Sequence, residues 1–174
     1  FPTRRSSDLL TPQEWDEKAR GWLLGRLTRG PRTKLQLARM LSEKGVPDEI
    51  AQPLLDRFED VGLIDDAAFA RAFARDRRQS RGLSKSALRR ELTQAGVDQE
   101  LVTDALEEYS SEDDLELAIR LVEKRWQGLA QLESDARYRR LTGYLGRRGF
   151  SGSSLYLAMK LASERYGYRL SLRS

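Results

Sequence analysis

Apolar residues recur along this chain at the three- and four-residue spacing of amphipathic helices, and one arrangement of them occurs three times. In each copy a glycine follows two leucines, which stand eight and four positions before it, and an apolar residue comes directly after it. The three sets are Leu37, Leu41, Gly45 and Val46; Leu88, Leu92, Gly96 and Val97; and Leu141, Leu145, Gly149 and Phe150. The glycines are about 51 to 53 residues apart, a period typical of stacked repeats, which usually bind other large molecules.

Local signals at the ends of these segments predict about nine helices. Thr11 with Glu14, and Thr33 with Gln36, have the spacing of capping boxes, in which side chains and backbone satisfy each other at a helix start. Further helices are predicted to start at polar residues that favour N-caps, namely Asp65, Ser84, Asp98 and either Ser110 or Ser111. No segment combines two-residue alternation with a strand-like composition. The sequence therefore predicts an all-α protein of three tandem three-helix repeats that form an elongated, curved array.

The predicted repeats span 11–64, 65–109 and 110–174. Residues 1–10 show neither helical periodicity nor a targeting pattern, so we expect a disordered or non-native head there. In the third repeat a helix is predicted over Ala136–Arg148. Pro47 and Asp48 are predicted to start a helix that runs through Ile50 to Val61. Pro53 lies about a turn and a half into this helix, and it either kinks the helix or moves its start downstream.

The composition removes several classes of site. The 174 residues include no cysteine and no histidine, so thiolate and imidazole metal ligands and the commonest general base are absent. No phosphate-binding loop with its Gly-Lys-Ser or Gly-Lys-Thr end occurs, so we expect neither ATP hydrolysis by the chain alone nor a cofactor. No apolar run approaches the roughly 18 residues of a membrane span, and no signal-peptide segment opens the sequence, so we expect a cytoplasmic protein without a membrane partner. The net charge of +4 favours a polyanionic partner only weakly.

The adjacent carboxylates Asp65 and Asp66 permit two interpretations. Paired carboxylates can hold a divalent metal for phosphodiester hydrolysis. Alternatively, Asp65 is the N-cap of the following helix and Asp66 lies in its first turn, where negative charge suits the helix dipole. No second carboxylate group with a basic partner argues for a nuclease. The structural interpretation is therefore favoured, and neither a catalytic residue nor a metal ligand is predicted.

Basic residues are concentrated in two stretches, which are the candidate binding surface. In the second repeat the candidates are Arg71, Arg75, Arg78, Arg81, Lys85, Arg89 and Arg90, and in the third they are Arg137, Arg139, Arg140, Arg147 and Arg148. Arginine suits bidentate contacts with phosphate or carboxylate. An acidic run from Glu100 to Glu116 contains no basic residue, so charges of opposite sign are segregated along the chain. The basic stretches are therefore a functional surface with a lasting positive potential, solvated helix faces, or partners of the acidic run within the protein.

Three motifs carry a resemblance to a known family. The first is Gly62-Leu63-Ile64-Asp65-Asp66-Ala67-Ala68-Phe69-Ala70, the second is Arg90-Glu91-Leu92 with Ala95-Gly96-Val97, and the third joins Tyr138-Arg139-Arg140-Leu141 to Leu145-Gly146-Arg147-Arg148-Gly149-Phe150. In this order they resemble the RecX family of bacterial regulatory proteins over about Ala19 to Ala162, most of the chain. The resemblance implies tandem three-helix repeats in a non-enzymatic protein that lodges in the groove of the RecA–DNA filament and modulates the RecA recombinase.

The leading hypothesis combines the resemblance with the basic stretches. It describes a monomeric regulatory protein that binds the RecA–DNA filament and inhibits recombinase ATP hydrolysis and strand exchange, with single- or double-stranded DNA as a second candidate partner. The main alternative is a DNA-binding helical-repeat protein that acts directly on nucleic acid, since a three-helix repeat with a glycine-containing turn has the outline of a helix-turn-helix unit. A scaffold for some other acidic protein is a third interpretation. The sequence leaves open whether the basic residues contact protein or DNA.

Overall fold

The chain is helical throughout the part that the computed structural model describes, residues 10–166. Nine α-helices occur in this range, none of its residues lies in a strand, and none of its helices is both long enough and apolar enough to span a membrane. In chain order the helices are α1 Pro12–Leu27, α2 Lys34–Glu43, α3 Asp48–Asp60, α4 Asp66–Arg81, α5 Lys85–Gln94, α6 Gln99–Ala105, α7 Ser111–Trp126, α8 Ser134–Gly146 and α9 Gly152–Tyr166, with a 3₁₀ turn over Gln127–Leu129. The prediction of an all-α fold of repeated helical units is confirmed. The head predicted over residues 1–10 lies, apart from Leu10, outside the described residues.

The helices begin at the polar residues that the sequence predicts as caps. Thr11 and Thr33 complete their capping boxes, in which the side chains of Glu14 and Gln36 accept the backbone N–H groups of the two threonines at 2.7 and 3.2 Å. Asp65 caps α4 by accepting a backbone N–H through Oδ1 at 2.8 Å. Each bond joins residues only three positions apart, so these helix starts can be recognised from the sequence alone.

Each copy of the leucine–glycine pattern ends its helix in the same way. Gly45, Gly96 and Gly149 have φ angles of +79°, +84° and +91°, a left-handed conformation that glycine adopts without steric cost. The residue after each glycine donates its N–H to the carbonyl of the leucine five positions earlier, at 3.0, 3.1 and 3.2 Å. The repeat in the sequence is therefore also a repeat in backbone conformation.

The bounds of helix α8 differ from those predicted. The helix begins two residues early, at Ser134, because polar residues are well tolerated in a first helical turn, and it ends at Gly146. Helix α3 begins at Asp48, as predicted, and contains Pro53, so the proline does not move the start of the helix downstream. The side chain of Pro53 is exposed.

Tertiary contacts divide the chain into two compact units, each with a core of its own. Of the described residues, the first unit takes 10–72 together with 92–102, and α1, α2 and α3 surround its core. That core contains Trp15, Ala19, Leu23, Leu37, Leu41, Val46, Ala51, Leu54, Leu55, Phe58 and Ile64. The second unit takes 73–91 and 103–166, with α7, α8 and α9 around its core. That core contains Ala118, Ile119, Val122, Trp126, Leu129, Leu141, Leu145, Phe150, Leu155, Ala158, Met159 and Ala162. The boundaries of the three repeats stay a prediction.

Candidate binding surfaces on the second and third repeats

Arg78 is held by the second unit itself. Its Nη1 donates to Asp114 Oδ1 at 2.6 Å and to the Leu83 carbonyl at 3.2 Å, and its guanidinium lies 4.7 Å from the centre of the Tyr109 ring. Only 12% of the Arg78 side chain and 19% of the Asp114 side chain are exposed. Asp114 belongs to the acidic run, so part of the charge that is segregated along the sequence is paired within this unit.

Arg81 and Arg89 form weaker contacts than Arg78 does. Arg81 on α4 places Nη1 at 3.0 and 3.3 Å from the two carboxylate oxygens of Glu91 on α5, and half of its side chain is exposed. Arg89 Nη1 donates to Thr103 Oγ1 at 3.4 Å, near the outer limit of a hydrogen bond. Exposed contacts of this kind contribute little to stability, so both guanidinium groups remain accessible to a stronger acceptor.

Three arginines of the second repeat are exposed and have no ion pair with any residue in the range 10–166. They are Arg71 and Arg75, one turn apart on α4, and Arg90 on α5. Lys85 likewise has no ion pair in this range, but it is half-buried. These residues are the part of the basic stretch that is available to a partner.

The side chain of Arg137 is hydrogen-bonded within the third repeat. It donates through Nε and Nη2 to three carbonyl oxygens at 3.1, 2.9 and 2.7 Å, those of Leu129, Ala130 and Leu132. Its guanidinium also lies 4.6 Å from the centre of the Trp126 ring. Arg137 therefore stabilises the connection between α7 and α8 through three hydrogen bonds.

An open depression on α7 and α8 brings arginines of the two helices together, and we call it the arginine pocket. Its lining consists of Arg125, Leu129, Ala136, Arg139, Arg140, Gly143, Tyr144 and Arg147. All four arginines are exposed, and none forms an ion pair with another residue of the described range. No carboxylate is among the lining residues, so the charged side chains of the lining are all positive.

The ring of Tyr144 is flanked by guanidinium groups. The guanidinium of Arg148 lies 3.7 Å from the ring centre, and that of Arg125 lies 5.6 Å from it. Arg148 Nη1 also donates to the Tyr144 carbonyl at 3.1 Å, so this arginine supports the pocket without lining it.

Arg125 is the pocket residue that the sequence analysis missed. It lies in the last turn of α7, where a basic residue is also favoured by the helix dipole, and it is far in sequence from the stretch that begins at Arg137. The short connection from α7 to α8 could have indicated Arg125, because it brings the end of α7 close to the start of α8.

Asp66 and Asp114 play equivalent parts in the two units. Asp66 in the first turn of α4 accepts the backbone N–H of Lys34, the first residue of α2, at 2.9 Å. Asp114 in the first turn of α7 accepts that of Lys85, the first residue of α5, at 3.0 Å. Burial raises the pKa of Asp66, and the Lys34 N–H partly offsets this effect. Both carboxylates therefore satisfy the N-terminus of a helix in the preceding repeat.

Two family models match the chain between residues 65 and 154. Residues 65–106 match "RecX, second three-helix domain", and residues 112–154 match "RecX, third three-helix domain". The matched ranges include α4 to α6 and α7 to α8, and thus every predicted binding residue.

Relatives named "Regulatory protein RecX" are similar to nearly the whole chain. The relative from Streptomyces coelicolor is 40% identical over 156 residues, which cover 90% of this chain and 83% of the relative. The relative from Thermobifida fusca is 37% identical over 163 residues, which cover 94% and 88%, respectively.

Two solved structures share the fold. "Crystal structure of RecX from Lactobacillus salivarius" superposes with a TM-score of 0.75 at 18% identity, covering 87% of this chain and 99% of that one. "Crystal structure of regulatory protein RecX" superposes with a TM-score of 0.72 at 26% identity, covering 86% and 73%.

Proposed function

Because the chain belongs to the RecX family of regulatory proteins, we propose that it regulates a RecA-type recombinase by binding the filament that this recombinase forms on DNA. Binding lowers the rates of ATP hydrolysis and strand exchange. The regulator acts as a monomer. It acts in the cytoplasm, where the recombinase and its DNA are present. The sequence relationship over 90% of the chain is the observation that carries the proposal.

The family consists of regulatory proteins, so the chain is not an enzyme and acts through binding alone. Three tandem repeats suit a partner that is itself repetitive, since separate repeats can contact separate recombinase subunits. Each contact can be weak, because contacts that are joined in one chain gain from a high effective concentration. A regulator that links neighbouring subunits opposes the movements between them that accompany ATP hydrolysis.

The exposed arginines of the second repeat are the residues that we propose for this contact. A variant with Arg71→Glu, Arg75→Glu and Arg90→Glu reverses the charge of three side chains that have no ion pair in the described range. Exposed charge contacts contribute about 0.5–1 kcal/mol each, so the half-inhibitory concentration should rise about tenfold or more. The measurement is ATP hydrolysis by the cognate recombinase on single-stranded DNA, with the regulator well below one per subunit.

The matched control reverses the same amount of charge in the first repeat. Lys18→Glu, Arg29→Glu and Arg39→Glu alter three exposed cations that also have no ion pair in the described range, and this variant should inhibit like the native chain. Arg78 is left unchanged in both variants, because its reversal would place a glutamate beside Asp114. No inhibition of ATP hydrolysis by the native chain would contradict the proposal itself. An equal loss of inhibition in the two variants would contradict only the role of the second repeat.

Direct action on DNA is the second candidate function, and the arginine pocket is the observation that favours it. A protein that acts this way would bind bare DNA tightly without recombinase, and its affinity would fall steeply with salt. Inhibition of recombinase ATP hydrolysis at salt concentrations where the protein no longer binds bare DNA would favour binding to the filament.

A further inference from the structure

We propose that the turn between α3 and α4 inserts two apolar side chains into a pocket on a protein partner, and that basic side chains surround this pocket. The two side chains are those of Val61 and Leu63, which we call the apolar corner. The inference deepens the proposed function and rests on it for the identity of the partner, a subunit of the recombinase filament. It gives the first repeat a contact of its own.

The apolar corner contains the two most exposed large apolar side chains of residues 10–166. Val61 is 71% exposed and Leu63 is 49% exposed, and every other large apolar side chain in this range is at most 46% exposed. Single exposed apolar side chains are ordinary on protein surfaces. Two of them in one turn can serve as the apolar anchors that a partner buries at the centre of an interface.

The corresponding connection in the second repeat shows that the fold does not require exposed apolar residues here. Residues 61–65 join α3 to α4, and residues 106–110 join α6 to α7, so the two connections are equally long. In the second connection the apolar residue Leu106 is buried, and the exposed residues after it are Glu107 and Glu108. The exposed apolar pair is therefore particular to the first connection.

The backbone holds the apolar corner in a defined conformation. Gly62 has a φ of +74°, and the N–H groups of Leu63 and Ile64 both donate to the Phe58 carbonyl, at 2.8 and 3.1 Å. Ile64 is buried in the core of the first unit and anchors the turn from below. A turn that is fixed in this way loses little conformational entropy when it binds, so two side chains can contribute effectively.

The charges around the apolar corner indicate what kind of surface it fits. Between Arg57 and Arg71 the chain has no basic residue, and its acidic residues there are Glu59, Asp60, Asp65 and Asp66. Asp60, next to Val61, is exposed and forms no ion pair with any residue in the range 10–166. Carboxylates repel phosphate groups and attract basic side chains. The occupant is therefore a basic protein surface and not nucleic acid.

The first test removes the apolar side chains and keeps every charge. A variant with Val61→Gln and Leu63→Gln should raise the half-inhibitory concentration in the recombinase ATP-hydrolysis assay about tenfold or more, because two apolar anchors are lost. The matched control, Leu24→Gln with Tyr156→Gln, changes two other exposed apolar residues and should inhibit like the native chain. Urea unfolding checks that both variants fold. Val61→Gln alone, at a mostly exposed position, should be as stable as the native chain and should also weaken inhibition.

The charge of the surrounding surface is tested separately with Asp60→Lys. This variant should weaken inhibition several-fold at low salt, and the effect should shrink as the salt concentration rises, because salt screens exposed charges. The loss caused by Val61→Gln with Leu63→Gln should persist at every salt concentration, since burial of apolar surface involves no charge.

A photo-crosslinker at position 61 identifies what the apolar corner contacts. Val61→p-benzoylphenylalanine, bound to a recombinase filament on labelled single-stranded DNA, should crosslink to the recombinase polypeptide at apolar residues beside lysine or arginine. The same group at Leu24 is the control and should give no such product. Mass spectrometry of the crosslinked peptides and the DNA label distinguish protein from nucleic acid.

Four results would overturn the assignment and leave the proposed function intact. They are native-like inhibition by Val61→Gln with Leu63→Gln, crosslinks from position 61 to DNA alone, crosslinks to an acidic region of the recombinase, and no crosslink on a filament that the native chain inhibits. Failure of the native chain to inhibit ATP hydrolysis would instead contradict the proposed function on which the inference rests.

Discussion

At the scale of single residues, Gly149 is under a tighter constraint than the equivalent glycine of the first repeat. Gly149 has a φ of +91°, and a Cβ there would collide with Ser84 Oγ and stand 2.6 Å from Ala87 Cβ. Gly45 has a φ of +79°, but nothing lies within 4 Å of a Cβ built on it. The backbone conformation is therefore shared by the two glycines, and the close approach of neighbouring atoms occurs only at Gly149.

We predict that alanine is more costly at Gly149 than at Gly45. Gly45→Ala should lower the free energy of unfolding by about 1–2 kcal/mol, the cost of a left-handed residue with a side chain. Gly149→Ala should lower it by about 2–5 kcal/mol, because overpacking adds to the backbone term. Urea unfolding of the two variants measures both values, and similar losses would show that the atoms around Gly149 move aside freely.

At the scale of helices, Asp114 joins three elements of the second unit. Its carboxylate accepts hydrogen bonds from Arg78 of α4 at 2.6 Å and from the N–H of Lys85 at the start of α5 at 3.0 Å, while Asp114 itself lies on α7. We predict that Asp114→Ala lowers the free energy of unfolding by about 2–4 kcal/mol, because the mostly buried guanidinium of Arg78 loses its partner. The measurement is chemical unfolding at neutral pH.

Glu116 provides the comparison on the same helix. It pairs with Arg165 at 3.2 Å, but about half of each side chain is exposed. Glu116→Ala should therefore change the free energy of unfolding much less than Asp114→Ala does, because water and salt screen an exposed ion pair. If the two substitutions had equal effects, burial would not be what distinguishes the two ion pairs.

The caps of the helices could be predicted from the sequence, whereas the contacts between them could not. Thr11 and Glu14 are three residues apart, and a bond of that range leaves a local signature. Arg78 and Asp114 are 36 residues apart, and nothing near either residue distinguishes Arg78 from the exposed Arg75 on the same helix. The sequence therefore locates the basic stretches, but it does not separate the paired arginines from the unpaired ones.

At the scale of the whole molecule, the absence of histidine and cysteine restricts how stability depends on pH. No side chain of the 174 residues has an ordinary pKa between about 5 and 8. The backbone N–H groups of Thr11 and Ser110 lower the pKa values of Glu14 and Asp113, respectively. Arg20 and Arg165 lower the pKa values of Asp16 and Glu116, respectively. These carboxylates contribute stability above their ordinary pKa values of 4.5 and 3.8, and that contribution is lost as the pH falls through the lower values of the folded state.

The pKa of Asp66 is shifted in the opposite direction, so its effect can be tested in the same measurement of unfolding free energy against pH. Burial raises the pKa of Asp66, so ionisation of this carboxyl in the folded protein reduces stability as the pH rises through the raised value. We predict that the native free energy of unfolding is nearly constant from about pH 6 to 8 and falls below about pH 4. Asp66→Asn removes the opposing contribution and keeps an oxygen for the Lys34 N–H, so its stability should rise more steeply from acid to neutral pH than that of the native chain.

Urea unfolding at a series of pH values measures both curves. Parallel curves for the native and Asp66→Asn proteins would show that the Lys34 N–H, together with the helix start behind it, fully compensates the burial of the carboxylate. A steeper curve for the variant would show that this junction between repeats retains a buried charge at a cost in stability.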